Sequence, residues 1–192
     1  MPNTRPTRRT QAERRAESRM ALLHSACRLF GANGYAATSL EQIAADCGLT
    51  IRPIYHYYGN KKALFAAVNE HMEQRIIESM SATADGEGIL ANWRAYLDLC
   101  DDAAFRRIVL VDSPNILGRE RWLHSAVTEK ARSALERTSN DKVQQYRAEL
   151  LNAVIMGAFT EAALMIAEAD DIAMAKREAE RVMAALFSQL PN

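Results

Sequence analysis

The feature that most restricts how this chain can fold is the run from Thr38 to Lys62, Thr-Ser-Leu-Glu-Gln-Ile-Ala-Ala-Asp-Cys-Gly-Leu-Thr-Ile-Arg-Pro-Ile-Tyr-His-Tyr-Tyr-Gly-Asn-Lys-Lys. Two short stretches with helical apolar spacing meet at Gly48. A glycine there takes a positive φ where the first helix must stop, and the next helix starts within three residues. Helices joined so tightly cross steeply. Ala44, four residues before Gly48, is small where the two backbones approach, while Ile43, Cys47, Leu49 and Ile54 point into a shared core. This is how a helix-turn-helix that enters the major groove of DNA looks in sequence.

The helix starts are also encoded. Thr38 with Glu41, or Ser39 with Gln42, makes a capping box for the first helix, and the sequence leaves both registers open. Thr50 is the expected N-cap of the second helix. Counted from Thr50, Pro53 falls in the first turn, where its missing amide costs no intrahelical bond, so a helix beginning at Ile51 is expected.

The surrounding residues extend the pattern: Leu29-Phe30-Gly31-Ala32-Asn33-Gly34-Tyr35, Thr38-Ser39, Ile43-Ala44, Gly48-Leu49-Thr50, and Ile54-Tyr55-His56-Tyr57-Tyr58-Gly59-Asn60-Lys61-Lys62-Ala63-Leu64. On these residues, about the first third of the chain, the sequence resembles the TetR family (TetR/AcrR type) of bacterial transcriptional repressors. It departs from the family pattern at Pro53, where a small polar residue is more common, and at Tyr58, where phenylalanine is usual. The resemblance implies an all-α protein with an N-terminal three-helix helix-turn-helix DNA-binding domain and a basic arm over residues 1–60. A helical effector-binding and dimerisation domain over residues 61–192 would follow. It further implies a homodimer on a palindromic operator, released when a small-molecule effector stabilises a spacing of the two heads that misfits the DNA.

Composition agrees: only 8 Gly and 5 Pro in 192 residues favour long helices over many-turned β structure. The net charge of zero would argue against a nucleic-acid partner, but it conceals an asymmetry. Residues 1–75 hold eleven Lys and Arg against six Asp and Glu, and the remainder thirteen against eighteen. The N-terminal part can therefore approach phosphates while the rest is repelled. Arg5, Arg8, Arg9, Arg14, Arg15 and Arg19 precede or open the first helix, either as a solvated tail or as an arm along the duplex. No run reaches the roughly 18 uninterrupted apolar residues of a membrane span, and the arginine-rich start lacks a signal-peptide core, so a cytoplasmic protein is expected.

Periodicity predicts a first helix from about Glu13 to Ala32 with Met20, Leu23, Cys27 and Phe30 on one stripe. A fourth opens after the N-cap Asn60 and carries Leu64, Phe65, Val68 and Met72. Residues 81–88 read as a break. Further helices are expected over Ile89–Leu99, Ala103–Val111, Arg119–Arg137, Lys142–Glu168 and Ile172–Gln189, with turns at Asp112-Ser113-Pro114-Asn115 and Ser139-Asn140-Asp141.

Reach assigns roles at the DNA end. Thr50, Ile51 and Arg52 begin the recognition helix, and Arg52 is the side chain able to pair with guanine through two hydrogen bonds. Tyr55, His56, Tyr57 and Lys61, with Thr38 and Ser39, are suited to the backbone. Ile155, Phe159, Ala162, Ala163 and Ile166 on one helix, with Val182, Met183, Leu186 and Phe187 on the last, form apolar stripes. These either fill the monomer core or pair two chains in a four-helix bundle, as the resemblance implies. Trp93, Tyr96, Phe105, Ile108, Trp122, Met156 and Phe159, with His71, Asp112 and Asn115 as polar groups, either line an effector cavity or fill a dry core.

The residues offer little for catalysis. His24, His56, His71 and His124 are scattered, and Cys27, Cys47 and Cys100 lack metal-ligand spacing. No phosphate-binding glycine loop, zinc-protease helix or nucleophile elbow occurs. No cofactor and no metal are expected, and the cysteines read as buried thiols in a reducing compartment. Two other readings remain: a helical interaction or small-molecule-binding module without specific DNA recognition, and an enzyme using the central region through His71 or Asp112.

Overall fold

Thr10 sets where the chain becomes helical: its hydroxyl accepts from the Glu13 amide at 3.2 Å, and the Glu13 carboxylate accepts from the Thr10 amide at 2.7 Å. In this computed structural model, which describes residues 10–82, 88–118, 121, 125–129 and 142–188, that box starts α1, Gln11–Ala37. The helix is longer than expected at both ends because Glu13 is its third residue, not its first, and because it continues past a break at Gly34 (φ 80, ψ 167). Leu22, Ala26, Cys27 and Phe30 form the buried stripe. Met20 is 43% exposed and Leu22 is buried in its stead, so the inward face keeps Cys27 and Phe30 of the expected stripe but turns toward Leu22 and Ala26.

Ser39 wins the choice of register for α2, Leu40–Asp46, exchanging hydrogen bonds with Gln42 at 3.1 and 2.7 Å. The helix ends by the glycine route: the Gly48 amide bonds Ala45 O and the Leu49 amide bonds Ala44 O, with Gly48 at φ 64. Nothing lies within 4 Å of where a Gly48 side chain would begin, so conformation rather than space demands the glycine. The next helix, α3, is Arg52–Tyr58. Its N-cap is Ile51, without a side-chain cap, so Thr50 does not cap it and it opens one residue later than expected. Pro53 sits in the first turn, where its missing amide costs nothing. Asn60 then starts α4, Lys61–Ala82, by accepting from the Ala63 amide at 2.8 Å. Leu22, Phe30, Ile43, Ile54, Leu64 and Phe65 are fully buried between these four helices, each contributing about 1.5–3 kcal/mol of transfer free energy.

After α4 come α5, Gly88–Leu99, and α6, Ala103–Phe105, capped by the Asp102 carboxylate. The chain continues as a π-helical segment, Arg106–Asp112, and then α7, Ser113–Ile116. The turn expected at Asp112-Ser113-Pro114-Asn115 is therefore absent. The Ser113 amide bonds five residues back to Ile108 O, and this wider turn carries the helix into Pro114, which sits in the first turn of α7 and needs no donor there. Helix α7 ends instead just before Gly118, which takes a positive φ of 96. The helix expected over Arg119–Arg137 and the turn at Ser139-Asn140-Asp141 fall largely outside the described residues, as does residue Trp122. Two long helices close the fold, α8, Lys142–Glu168, and α9, Ile172–Ser188. Among the described residues there is no strand.

A cluster of rings holds α5, α6, α8 and α9 together. Phe159 lies 4.7 Å from Trp93, 6.3 Å from Tyr96 and 5.8 Å from Phe187, with Phe105 6.2 Å from Tyr96 on the far side. Helix α1 is joined to α6 and the π segment. At Gly31 a Cβ would meet that of Ala104 at 2.4 Å, so backbones touch there. At the Gly34 break the Tyr35 amide donates to Asp112 Oδ2 at 2.7 Å, and Arg107 Nε lies 3.5 Å from the same oxygen.

Candidate nucleic-acid interface and effector cavity

The recognition helix is anchored from behind and open in front. Ile54 is its fully buried residue, while Arg52, Tyr55 and His56 on the other side are exposed, Tyr55 by 53%. Thr50 beside them is exposed, and Ile51 and Tyr57 are half-buried. Its far end is fixed by Tyr58, whose hydroxyl donates to Arg19 O on α1 at 3.0 Å and whose ring lies under the Arg19 guanidinium. Behind α2, Asp46 accepts from the Ser25 hydroxyl at 2.5 Å and pairs with Arg28; the serine bond foremost, then the arginine, holds its carboxyl below the usual range. The exposed side chains thus stand on a braced support.

Lys61 occupies the start of α4 with its ammonium 4.3 Å from the centroid of the Tyr35 ring. Tyr35 itself packs on Phe30 and Phe65, at 5.8 and 5.0 Å between centroids. The cation is therefore held beside the last turn of α1 and the first turn of α4. Thr38, expected at this face, is not part of it. Its side chain is buried, and its hydroxyl donates to Gly34 O at 2.9 Å and Leu29 O at 3.1 Å, closing the end of α1 after the glycine break. Ser39 is half-buried and committed to its capping box.

A cavity of about 100 Å³ lies between α4, α5, the π segment, α7 and α8, lined by Glu73, Tyr96, Val109, Leu110, Ser113, Pro114, Gly118, Arg121, Thr160 and Leu164. Of the described residues expected to line a pocket, Tyr96 alone lines this one. Trp93, Phe105, Ile108 and Phe159 are buried in the core behind it, and Met156 packs against that core. His71 is exposed on α4 against the His24 ring, and Asn115 donates to Val111 O. Asp112 serves the Tyr35 amide instead. Rings large enough to line a cavity are also the ones that best fill a core, and periodicity does not separate the two.

The apolar stripes of α8 and α9 divide similarly. Phe159, Ala163, Ile166 and Met183 are buried in the monomer, and Ile155, Ala162 and Phe187 pack against its core. Val182 and Leu186 remain more than half exposed, and the unexpected members Val143, Tyr146, Leu150, Val154 and Met165 continue the exposed apolar surface along α8. Glu149–Glu168 is apolar enough, by length and composition, to cross a membrane, but this exposed stripe and the buried one together account for its hydropathy.

The sequence comparisons bear on both halves. Residues 22–68 match the family model described as bacterial regulatory proteins, tetR family, and residues 86–190 match the Tetracyclin repressor-like C-terminal domain. The chain belongs to the TetR family. A crystal structure of a TetR-family transcriptional regulator from Pectobacterium atrosepticum is 31% identical, covers 93% of this chain and 95% of that one, and superposes with a TM-score of 0.66. Two HTH-type transcriptional regulators of Bacillus subtilis (strain 168) are each 36% identical: YxaF over 76 residues, 37% of this chain and 40% of that protein, and LmrA over 81 residues, 39% and 43%. The match thus spans less than half the length of those two curated relatives. As a TetR-family member the chain is a transcriptional regulator with a helix-turn-helix DNA-binding domain.

The TetR resemblance did not point to Asn69 and Glu73, which are buried on α4. Their signal was present in the sequence: an amide and a carboxylate at i and i+4 inside the stripe of Phe65, Val68, Met72 and Ile76. Glu73 pairs with Arg121 Nη1 at 3.1 Å and accepts from Asn69 Nδ2 at 2.6 Å, while Arg121 Nη2 reaches Glu70 at 3.1 Å. Burial raises the Glu73 carboxyl above its ordinary value, against the opposing pull of Arg121 and Asn69. The thiols of Cys27 and Cys100 are both pushed up to about 11 by burial, against opposing nearby cations, which keeps them unreactive. Among the described residues no cluster of metal-ligating side chains occurs.

Proposed function

We propose that this TetR-family regulator is a ligand-responsive repressor that binds a palindromic operator as a homodimer and is released by a small-molecule effector. The observation that carries the reading is the exposed face of α3, with Arg52, Tyr55 and His56 projecting from a helix whose inner side is sealed by Ile54. Residues 1–60 act as the reading head and residues 61–192 as the effector and dimerisation part. In this assignment Arg52 reads base edges from the N-terminal end of the recognition helix, with Thr50 and Ile51 beside it. Tyr55, His56, Tyr57, Ser39 and Lys61 meet the phosphate backbone, helped by the first amides of α4. The work is done at DNA and so in the cytoplasm, without a cofactor.

Dimerisation rests on the exposed apolar residues of α8 and α9, among them Leu150, Val154, Val182 and Leu186. A second copy covering the same stripe forms a four-helix interface and holds two heads about 34 Å apart, one helical turn of DNA. The effector occupies the cavity bounded by α4, the π segment, α7 and α8. Val109, Leu110, Ser113 and Pro114 form one wall of it, and the same stretch of chain carries Arg107 and Asp112, which hold the end of α1. A ligand that moves the wall therefore moves the support of the head, and does so only as far as it binds the two arrangements unequally.

The test is fluorescence anisotropy with duplexes selected by the protein from a random pool. Selected sites with two-fold symmetry, and a dimer-sized complex, are the expected result. Failure to enrich any sequence, or equal affinity for selected and random duplexes, overturns the reading.

A further inference from the structure

The polar end of the cavity holds a buried carboxylate whose pairing bears on the ligand it would take. Val109, Leu110, Leu164 and the Tyr96 ring form its apolar walls, Ser113 and Thr160 add hydroxyls, and at its charged end Glu73 is 4% exposed. Two carboxylates, Glu70 and Glu73, share the single guanidinium of Arg121. Arg121 holds the exposed Glu70 with one nitrogen and the buried Glu73 with the other. A second feature sits beside the carboxylate: Asn69 spends its amide nitrogen on Glu73 Oε1, and its Oδ1 is buried with no hydrogen-bond partner. Among the described residues, two carboxylates and an unpaired amide oxygen are thus gathered around one guanidinium at this end.

We propose that this cavity takes a compact lipophilic cation, a protonated amine or amidinium, which replaces Arg121 on the Glu73 carboxylate. The proposal rests on the effector reading above and gives it a ligand chemistry. An anionic ligand would have to draw Arg121 away from both carboxylates and leave Glu73 buried without a cation, an arrangement strongly penalised in a low dielectric. A cation exchanges one partner of Glu73 for another, while Arg121 swings toward solvent and keeps Glu70. Its N–H groups also supply donors next to the unpartnered Asn69 oxygen. The volume of about 100 Å³ limits the apolar part to roughly a single ring. Burial, which makes the Glu73 charge costly on its own, favours any ligand that brings a cation to it.

Three probes of one shape and different charge test this: benzylamine, benzyl alcohol and benzoate, titrated calorimetrically into the DNA-free full chain. Benzylamine is expected to bind at least about tenfold more tightly than either of the others. Glu73→Gln, which keeps the size of the side chain, should abolish that preference. Arg121→Gln vacates the carboxylate and should strengthen benzylamine severalfold, an opposite sign that a merely damaged fold does not produce. No binding by any probe, a preference for benzoate, or a benzylamine affinity insensitive to both substitutions overturns the proposal. Because the titration contains no DNA, a positive result with failed operator selection would instead reject the regulatory reading alone.

Discussion

Replacing Asp112 separates a local hydrogen bond from a structural joint. Its carboxylate accepts from the Tyr35 amide at 2.7 Å, and its side chain is 13% exposed. A hydrogen bond to a charged acceptor in such a setting contributes about 1.5–3 kcal/mol, mostly seen as the penalty for leaving the amide unpaired. The accompanying Arg107 contact is 3.5 Å long with the arginine 48% exposed, so solvent screening leaves it well under about 1 kcal/mol. Asp112→Ala should therefore cost about 2 kcal/mol, or roughly 4–8 °C in Tm for a chain of this size. Asp112→Asn keeps an acceptor for Tyr35 and should cost roughly half as much. Urea unfolding at fixed protein concentration measures both, since a dimer's midpoint depends on concentration. Hydrogen exchange at the Tyr35 amide gives the local reading and should accelerate in the alanine variant. If both variants unfold within about 0.5 kcal/mol of the parent and Tyr35 stays protected, the joint between α1 and the π segment does not depend on this carboxylate.

Four further outcomes are expected. Lys61→Ala should weaken binding to all duplexes and flatten the salt dependence by about one unit, whereas Arg52→Ala should relax preference at one base pair by about 1–3 kcal/mol, both read by anisotropy across a salt series. Ile54→Ala, at a fully buried site, should cost about 2–5 kcal/mol in urea unfolding and abolish operator binding, because the cavity it leaves lies under the recognition helix. Val154→Asp combined with Leu186→Glu should yield monomers in light scattering while the helical circular dichroism is retained; a persistent dimer would move the interface elsewhere. Partial burial raises the Asp102 carboxyl, but the Arg75 hydrogen bond at 2.6 Å and the Ala104 and Phe105 amides outweigh it and hold the group below its ordinary 3.8. Its stabilisation is therefore complete above that value and lost as pH falls through the lower folded one, so the Tm gap between parent and Asp102→Asn should shrink on acidification rather than grow.

The head could be read from the sequence because its determinants are local. A capping box spans three residues, a glycine stop needs only its own φ, and Asn60 caps a helix three residues away, so Gly48, Ser39 and Asn60 announce their roles within a turn of chain. Even there, contacts outside the window settled what local rules left open. Thr38 is as good a cap as Ser39 in isolation, but the break at Gly34 leaves carbonyls at the end of α1 that recruit its hydroxyl and take it into the interior. Thr50 lost its capping role because the chain leaves the turn with Ile51 already helical.

The second half was less legible because its outcomes depend on partners far away in sequence. Asp112 looked like a pocket group and became the acceptor for an amide 77 residues earlier. Trp93, Phe105 and Phe159 have the same helical spacing whether they meet other rings or a void, and the fold set Trp93 against Phe159 and Phe105 against Tyr96. By itself, the order of residues determined a helical fold, the positions of α1, α4, α8 and α9 and a pair of short helices about a glycine turn with an arginine at the tip, because periodicity and capping act over a few residues. Tertiary structure alone decided which face of each helix is buried, where the cavity opens and that Glu73 meets Arg121, because packing compares surfaces from distant segments and no short window contains both sides of that comparison.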